Sequence, residues 1–206
     1  MLSELLILFV SWLLYFVIHS LTASTSLKDY CANTLDLNGQ RFRLIYVIVS
    51  SVLLAPIVYL IWQDSTPTLW QHSGLIKITF DVLALIAAIG FLVVARSYNM
   101  LNFLGLADDD QHEHRLKISW LHRYVRHPWY FFGLIIIWTR DMSTLWLVSC
   151  ICITVYLIIG SKLEDNKLFA EFGEAYRYYQ KKVPGLFIIP GRYLTDDAMQ
   201  ILKTLK

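Results

Sequence analysis

Three uninterrupted apolar runs stand out along the chain: about Leu5–Leu21, Leu44–Trp62 and Leu75–Ala95. Each approaches the roughly 20 residues that a helix needs to cross about 30 Å of hydrocarbon. A fourth apolar block, Trp129–Gly160, is broken once, at Thr139-Arg140-Asp141. That break predicts a helical hairpin, so the pattern as a whole predicts an all-α integral membrane protein with five transmembrane helices. The runs are continuous rather than alternating, which argues against a membrane β-barrel. Pro56 falls inside the second run and predicts a kink there, which spanning helices tolerate.

The hairpin arms are unequal. From Pro128 to Thr139 is about 12 residues, roughly 18 Å of helix, and from Ser143 to Gly160 about 18 residues, roughly 27 Å. If both are straight and share one turn, Arg126-His127 sits about 9 Å deeper than Gly160, inside a recess. A strongly tilted second arm shrinks that offset.

After Gly160 the helical pattern continues. Leu168, Phe172, Tyr176, Tyr179 and Val183 fall on one face, with Lys167, Glu171, Glu174, Arg177 and Lys181 around the rest. This predicts a cytoplasmic amphipathic helix that lies on the membrane or caps the recess. Gly173 is a candidate bend, and Val183-Pro184 a stop. A short tail helix is expected from Thr195, as N-cap, through Leu205. The segments Thr25–Gln40 and Gln63–Gly74 read as loops, with Trp62 and Trp70 as interface anchors.

Composition agrees with this pattern. The chain has 206 residues, 56% of them hydrophobic, and a mean hydropathy of +0.50, too apolar for an ordinary soluble domain. Met1-Leu2-Ser3-Glu4 lacks a basic n-region, so the first helix is expected to remain as an anchor. Of 18 Lys and Arg residues, all but Lys77 and Arg140 fall on one side of the expected spans. That asymmetry predicts an outside N-terminus and a cytoplasmic C-terminus. The net charge of +2 gives no sign of a nucleic-acid partner. Cys31, Cys150 and Cys152 imply no disulfide framework, and the latter two read as small buried side chains.

The chemistry concentrates in two places. Arg126-His127-Pro128-Trp129-Tyr130, with Gly133, sits at the mouth of one apolar helix, and Glu164-Asp165 at the mouth of the next. Either alone reads as an ordinary helix flank: basic residues, Pro at N1, or a solvated acidic pair. Gly133 alone reads as a close-packing position. Together, charged and titratable groups beside apolar helices point to a functional site. Two weaker features remain. His112-Glu113-His114, beside Asp108–Asp110, has metal-ligand residue types but no readable geometry. His19 lies within the first helix, where a buried polar group needs a partner.

The order Arg-His-Pro-x-Tyr-x-x-Gly, apolar hairpin, Glu164-Asp165, Phe172-Gly173-Glu174-Ala175-Tyr176-x-x-Tyr179, Val183-Pro184 and Pro190 resembles the isoprenylcysteine carboxyl methyltransferase superfamily. The resemblance covers about residues 120–190. His19-Ser20-Leu21-x-Ala23-Ser24 and Arg43-Leu44-x-Tyr46 look closest to its NnrU-like and methanethiol S-methyltransferase branch. It implies one methyltransferase-like domain over residues 1–206, with a three-helix part at 1–95 and a donor-binding hairpin and capping helix at 120–190. It implies S-adenosylmethionine as methyl donor, held by Arg126, His127, Pro128, Tyr130, Gly133, Glu164 and Asp165. Two positions depart from the family pattern. Asp165 stands where a second Glu is usual, and Trp120-Leu121-His122 occupies the place of a usual Gly-x-Tyr.

The residue types suit that donor. Its amino group and ribose diol are natural partners for Glu164 and Asp165, and its carboxylate for Arg126 or a helix N-terminus. Its sulfonium favours aromatic faces such as Tyr130, Tyr176 or Tyr179. Methyl transfer depends mostly on proximity and orientation, so His127 and Arg126 are candidate catalytic residues, His127 chiefly as a positioner and secondarily as a base. His19 and His122 are candidate acceptor contacts. The acceptor is a small or lipidic thiol or carboxylate, with a small thiol favoured. Two other readings stand beside this one: a non-enzymatic binding or transport module holding haem or a metal through His19, His112, His114 or His127, and a structural membrane subunit.

Overall fold

The computed structural model describes residues 2–107, 116 and 118–205; His112-Glu113-His114 and Asp108–Asp110 lie outside the described residues. Four long apolar helices account for the continuous runs. These are α1 (Leu2–Thr22), α3 (Gly39–Trp62), α4 (Gly74–Ala95) and α7 (Thr144–Lys182), each long and apolar enough to cross a membrane. The chain is therefore a helical, multi-pass membrane protein in architecture. A fifth apolar helix, α6 (Pro128–Trp138), has 11 residues, about 16 Å at 1.5 Å per residue, half of a bilayer core. Pro56 stays inside α3, which continues to Trp62.

Two segments read as loops are ordered elements. Residues Thr25–Leu35 form α2. Ser24 caps it, accepting a hydrogen bond from the Leu27 N–H at 3.3 Å, and such a cap contributes about 1 kcal/mol. Low hydrophobicity hid the helix, because periodicity is legible only where apolar residues mark a face. Between α3 and α4, Thr68–Trp70 forms β1, which pairs antiparallel with β2 (Met142–Ser143). Asp64 organises the approach, accepting from the Thr66 N–H at 2.8 Å and from the hydroxyls of Thr66 and Ser143. A short helix, α5 (Met100–Phe103), follows α4, and the tail helix α8 spans Asp196–Thr204. Thr195 caps α8 through the Ala198 N–H at 3.2 Å.

The chain forms two compact units. The first gathers α1, α2, α3, the β1–β2 pair, α5 and the start of α7. Its core packs Leu8, Trp12, Ile57 and Leu145, with the Trp12 indole N–H donating to Ser149 Oγ at 3.0 Å.

The second unit gathers α4, α6, the rest of α7 and α8. Helix α6 runs antiparallel to α4. The Trp129 ring stacks on Phe91 at 5.6 Å, and Arg140 pairs with Asp81 at 3.4 Å. Close approach is permitted by Gly90, where an added Cβ would lie 2.5 Å from the Phe132 ring. Gly133, read from sequence as the close-packing position, has nothing within 4 Å of a built Cβ. Gly173 interrupts α7 with φ 53° and ψ −128°, a conformation that costs glycine least. Beyond it, Tyr176, Tyr179 and Val183 pack with Leu194, Ala198 and Leu202, and Leu168 and Phe172 join the edge. The amphipathic face is thus covered by α8.

Candidate functional site

The local sequence sets the geometry. Pro128 opens α6 at N1, where its missing N–H costs nothing, so His127 becomes the N-cap. Just before it, Leu121–Arg123 makes one 3-10 turn. The Arg126 and His127 N–H groups then donate to the carbonyls of Pro184 and Gly185, at 2.9 and 3.1 Å. The end of α7 is thereby stitched to the start of α6.

The two arms are level at this end, so the 9 Å recess expected from straight, equal-footed arms is not formed. Trp138 Nε1 donates to Thr154 Oγ1 at 3.0 Å, and His127 meets Glu164 and Asp165. Eleven residues separate 127 from 138, and ten separate 154 from 164. The helices therefore keep step, and the extra length of α7 lies before Thr154.

Asp165 is the hub. Its carboxylate accepts from Arg126 Nε at 3.2 Å and Nη2 at 2.5 Å, from His127 Nε2 at 2.9 Å and from the Tyr176 hydroxyl at 2.5 Å. Three of these contacts fall on Oδ1 and one, from Arg126 Nη2, on Oδ2. The remaining Arg126 nitrogen, Nη1, donates to the Val183 carbonyl at 2.6 Å. Arg126 and Asp165 are committed to the protein, with side chains 12% and 13% exposed.

Glu164 is different. It pairs with His127 Nδ1 at 3.2 Å yet its side chain stays 46% exposed. Tyr130, stacked on the His127 ring at 5.5 Å, hydrogen-bonds the same carboxylate. The sequence treated the acidic pair as equivalent. The structure separates an inward Asp165 from an outward Glu164.

His127 faces a carboxylate on each ring nitrogen. Burial alone lowers its pKa, and the hydrogen bonds its ring donates to Asp165 and Glu164 outweigh it, so the pKa is raised. The same balance raises that of Arg126: burial opposes, and Asp165 prevails. His122 goes the other way. Burial, joined by the charge of nearby His127, pushes it down to about 4. Its Nδ1 shares a 2.7 Å hydrogen bond with Ser119 Oγ.

Tyr179 donates to the His122 carbonyl at 2.6 Å, so its hydroxyl is used in holding the 3-10 turn. His19 belongs to the other unit. Its Nδ1 meets Ser50 Oγ at 3.0 Å and its Nε2 the Tyr46 hydroxyl at 2.9 Å. Among the described residues no group of three or more His, Cys, Asp or Glu side chains is placed to hold a metal. Sequence reasoning missed Arg123, which clasps α8 through the Leu194 carbonyl at 2.8 Å and Asp196 at 2.7 Å. No local sequence signal links it to a partner some 70 residues away.

The sequence model of the NnrU protein family matches residues 7–140. The chain belongs to the NnrU protein family. Within that match lie Arg126, His127 and Pro128; Glu164 and Asp165 follow it. Similarity to individual relatives extends further. The chain is 27% identical to methanethiol S-methyltransferase 2 of Bradyrhizobium diazoefficiens, over 89% of this chain and 73% of the relative. It is 29% identical to the methanethiol S-methyltransferase of Pseudomonas deceptionensis, over 82% and 67%. A third relative of the same name, from Crocosphaera subtropica, is 27% identical over 84% and 71%. No solved structure matches the chain.

Proposed function

We propose that this NnrU-family protein is a membrane methyltransferase that moves a methyl group from S-adenosylmethionine to a small thiol. The observation that carries the reading is the exposed Glu164 carboxylate, held against a charged His127 and a stacked Tyr130. The names of the relatives support the reaction class and the thiol.

The residues present fit the donor. Glu164 suits its ammonium and ribose hydroxyls, the face of Tyr130 suits its sulfonium, and the N-terminus of α6 suits its carboxylate. When bound, the donor supplies a methyl carbon already activated by a positive sulfur. Arg126 and Asp165 act one step back, fixing His127 and the Pro184-Gly185 turn. Gly133, which leaves open space at its Cβ position, keeps that part of α6 slim. His127 positions Glu164, and His122, too weakly basic at about 4 to take a thiol proton, is a contact for an acceptor that loses its proton to water. Fixing these groups before the acceptor arrives is the kind of preorganisation on which transfer reactions depend.

Five crossings fit this scheme, with the C-terminus in the cytoplasm. Helix α6 supplies about 16 Å, and the chain continues from it through a turn at Thr139 and Arg140 into the short strand β2. Pairing of Arg140 with Asp81 keeps a charge tolerable in that turn.

The reaction is tested with purified protein, labelled S-adenosylmethionine and methanethiol. Labelled dimethyl sulfide is the expected product, at least tenfold less of it with Glu164→Gln. Absence of any methylated thiol from a folded, donor-binding preparation would remove the small-thiol acceptor. Absence of donor binding would remove the methyltransferase reading itself.

A further inference from the structure

The segment between α7 and α8 carries the sequence Leu186-Phe187-Ile188-Ile189-Pro190-Gly191-Arg192-Tyr193. It belongs to no spanning helix, yet Phe187 and Ile188 are 55% and 49% exposed, and Ile189 and Tyr193 are exposed beside them. A contiguous apolar outcrop of this kind is uncommon on a surface that faces water alone. The site does not use it.

Both ends of the segment are tied to the same place. At its start the Pro184 and Gly185 carbonyls accept from the Arg126 and His127 N–H groups. At its end the Leu194 N–H donates to the Arg123 carbonyl at 2.8 Å, and Arg123 Nε returns a bond to the Leu194 carbonyl at 2.8 Å. Those anchors flank the first residue of the apolar helix α6. Trp129, one residue on, contacts Phe91, five residues before the C-cap of α4 at Arg96. The anchors therefore mark the height at which the apolar walls of α4 and α6 end.

The chemistry around the outcrop is that of a bilayer boundary. Tyr193 stacks on Tyr124 at 5.9 Å, and Trp120 nearby in sequence is exposed. Tyrosine and tryptophan concentrate at the level of lipid headgroups. Arg192, exposed, is the one cationic side chain of the segment and donates to the Lys181 carbonyl at 3.2 Å, a cation of the kind that anionic headgroups attract.

We infer that Phe187, Ile188 and Ile189 insert into the lipid leaflet at the site end of α6, with Tyr124 and Tyr193 at headgroup level. The segment is an interfacial anchor that holds the α7–α8 connection, and with it the stitched site, against the membrane. The occupant is lipid rather than protein, because the anchors fix the outcrop at the edge of helices that are themselves lipid-facing. This inference goes beyond the methyl-transfer reading and does not depend on it.

The test uses the full chain in vesicles of phosphatidylcholine and phosphatidylglycerol. A nitroxide is attached through Ile188→Cys, and for comparison through Glu171→Cys on an exposed position of α7. The background carries Cys31→Ser, Cys150→Ala and Cys152→Ala. Lipid-soluble oxygen is expected to relax the label at 188 several-fold more effectively than an aqueous nickel chelate, and the reverse is expected at 171. Equal access of the chelate to both positions would overturn the inference. Shielding of 188 from both oxygen and chelate would also overturn it, pointing to a second protein copy. If the cysteine-free background does not fold, a photoreactive phenylalanine analogue in place of Ile188 gives the same answer. Lipid adducts in the mass spectrum are expected, and adducts only to protein, or none, would refute the anchor.

Discussion

Two histidines, one in each compact unit, are built on the same plan and end in different states. His19 has a partner on each ring nitrogen and Tyr15 stacked on it at 5.3 Å. His127 has a partner on each ring nitrogen and Tyr130 stacked on it at 5.5 Å. The difference lies in the partners. Ser50 and Tyr46 are hydroxyls, which donate or accept, so a neutral imidazole with one N–H and one lone pair satisfies both. Glu164 and Asp165 are carboxylates, which when ionised only accept. Satisfying both requires two N–H groups on His127, and therefore a cation. Hydroxyl partners make a bridge between helices α1 and α3; carboxylate partners make a charged centre that can order an exposed Glu164 for a ligand.

The largest expected effect breaks the charged centre. Asp165→Ala leaves Arg126, His127 and Tyr176 without their shared acceptor. Removing one member of a buried pair costs about 3–5 kcal/mol, discounted here toward the lower end because the network is not fully buried. Thermal unfolding in detergent should show a melting temperature lowered by several degrees, and an unchanged melt would contradict the hub role. Next comes Glu164→Gln. It should leave the melt within about 1 °C of wild type while weakening donor binding tenfold or more, equivalent to about 1.4 kcal/mol. A large loss of stability instead would mean that Glu164 is structural like its neighbour.

A pH series separates the two histidines. The pKa of His127 is raised in the folded state. Its contribution to stability is therefore complete below the unfolded value of about 6.5 and is lost as pH rises through the folded value. His127→Gln should flatten that alkaline part of the profile. His19→Gln should lower stability and leave that alkaline part of the profile unchanged, and equal effects from both would collapse the comparison. The smallest expected effect is Tyr46→Phe, which removes one hydroxyl from His19 at a cost of about 1 kcal/mol, with donor binding unchanged.

How much of this was legible in the sequence depended on the range of the signal. Apolar runs marked α1, α4 and the first part of α7 closely, because a spanning helix writes its length in its own composition, but they missed the polar start of α3 at Gly39 and stopped at Gly160, well before the end of α7 at Lys182. Thr195 announced α8 by its capping chemistry. The pairing of Arg126-His127 with Glu164-Asp165 was legible only as an ordered combination of motifs. What each carboxylate faces was not legible. That division depends on the α6–α7 register, fixed by Trp138 and Thr154 as well as by the site itself, and on the stitched Pro184-Gly185 turn. Helix α2 was missed because a polar helix has no apolar stripe, and Gly90, not Gly133, marks the tight α4–α6 crossing because only the facing Phe132 reveals it.

The central claim is that Glu164 is the ligand-facing wall of a donor site whose frame is Arg126, His127 and Asp165. Calorimetric titration of the detergent-solubilised protein with S-adenosylhomocysteine tests it directly, comparing the native chain with Glu164→Gln at matched thermal stability. Saturable binding by the native chain and at least tenfold weaker binding by Glu164→Gln are the expected results. Equal affinity in the two proteins, or no binding by the native chain, would contradict it.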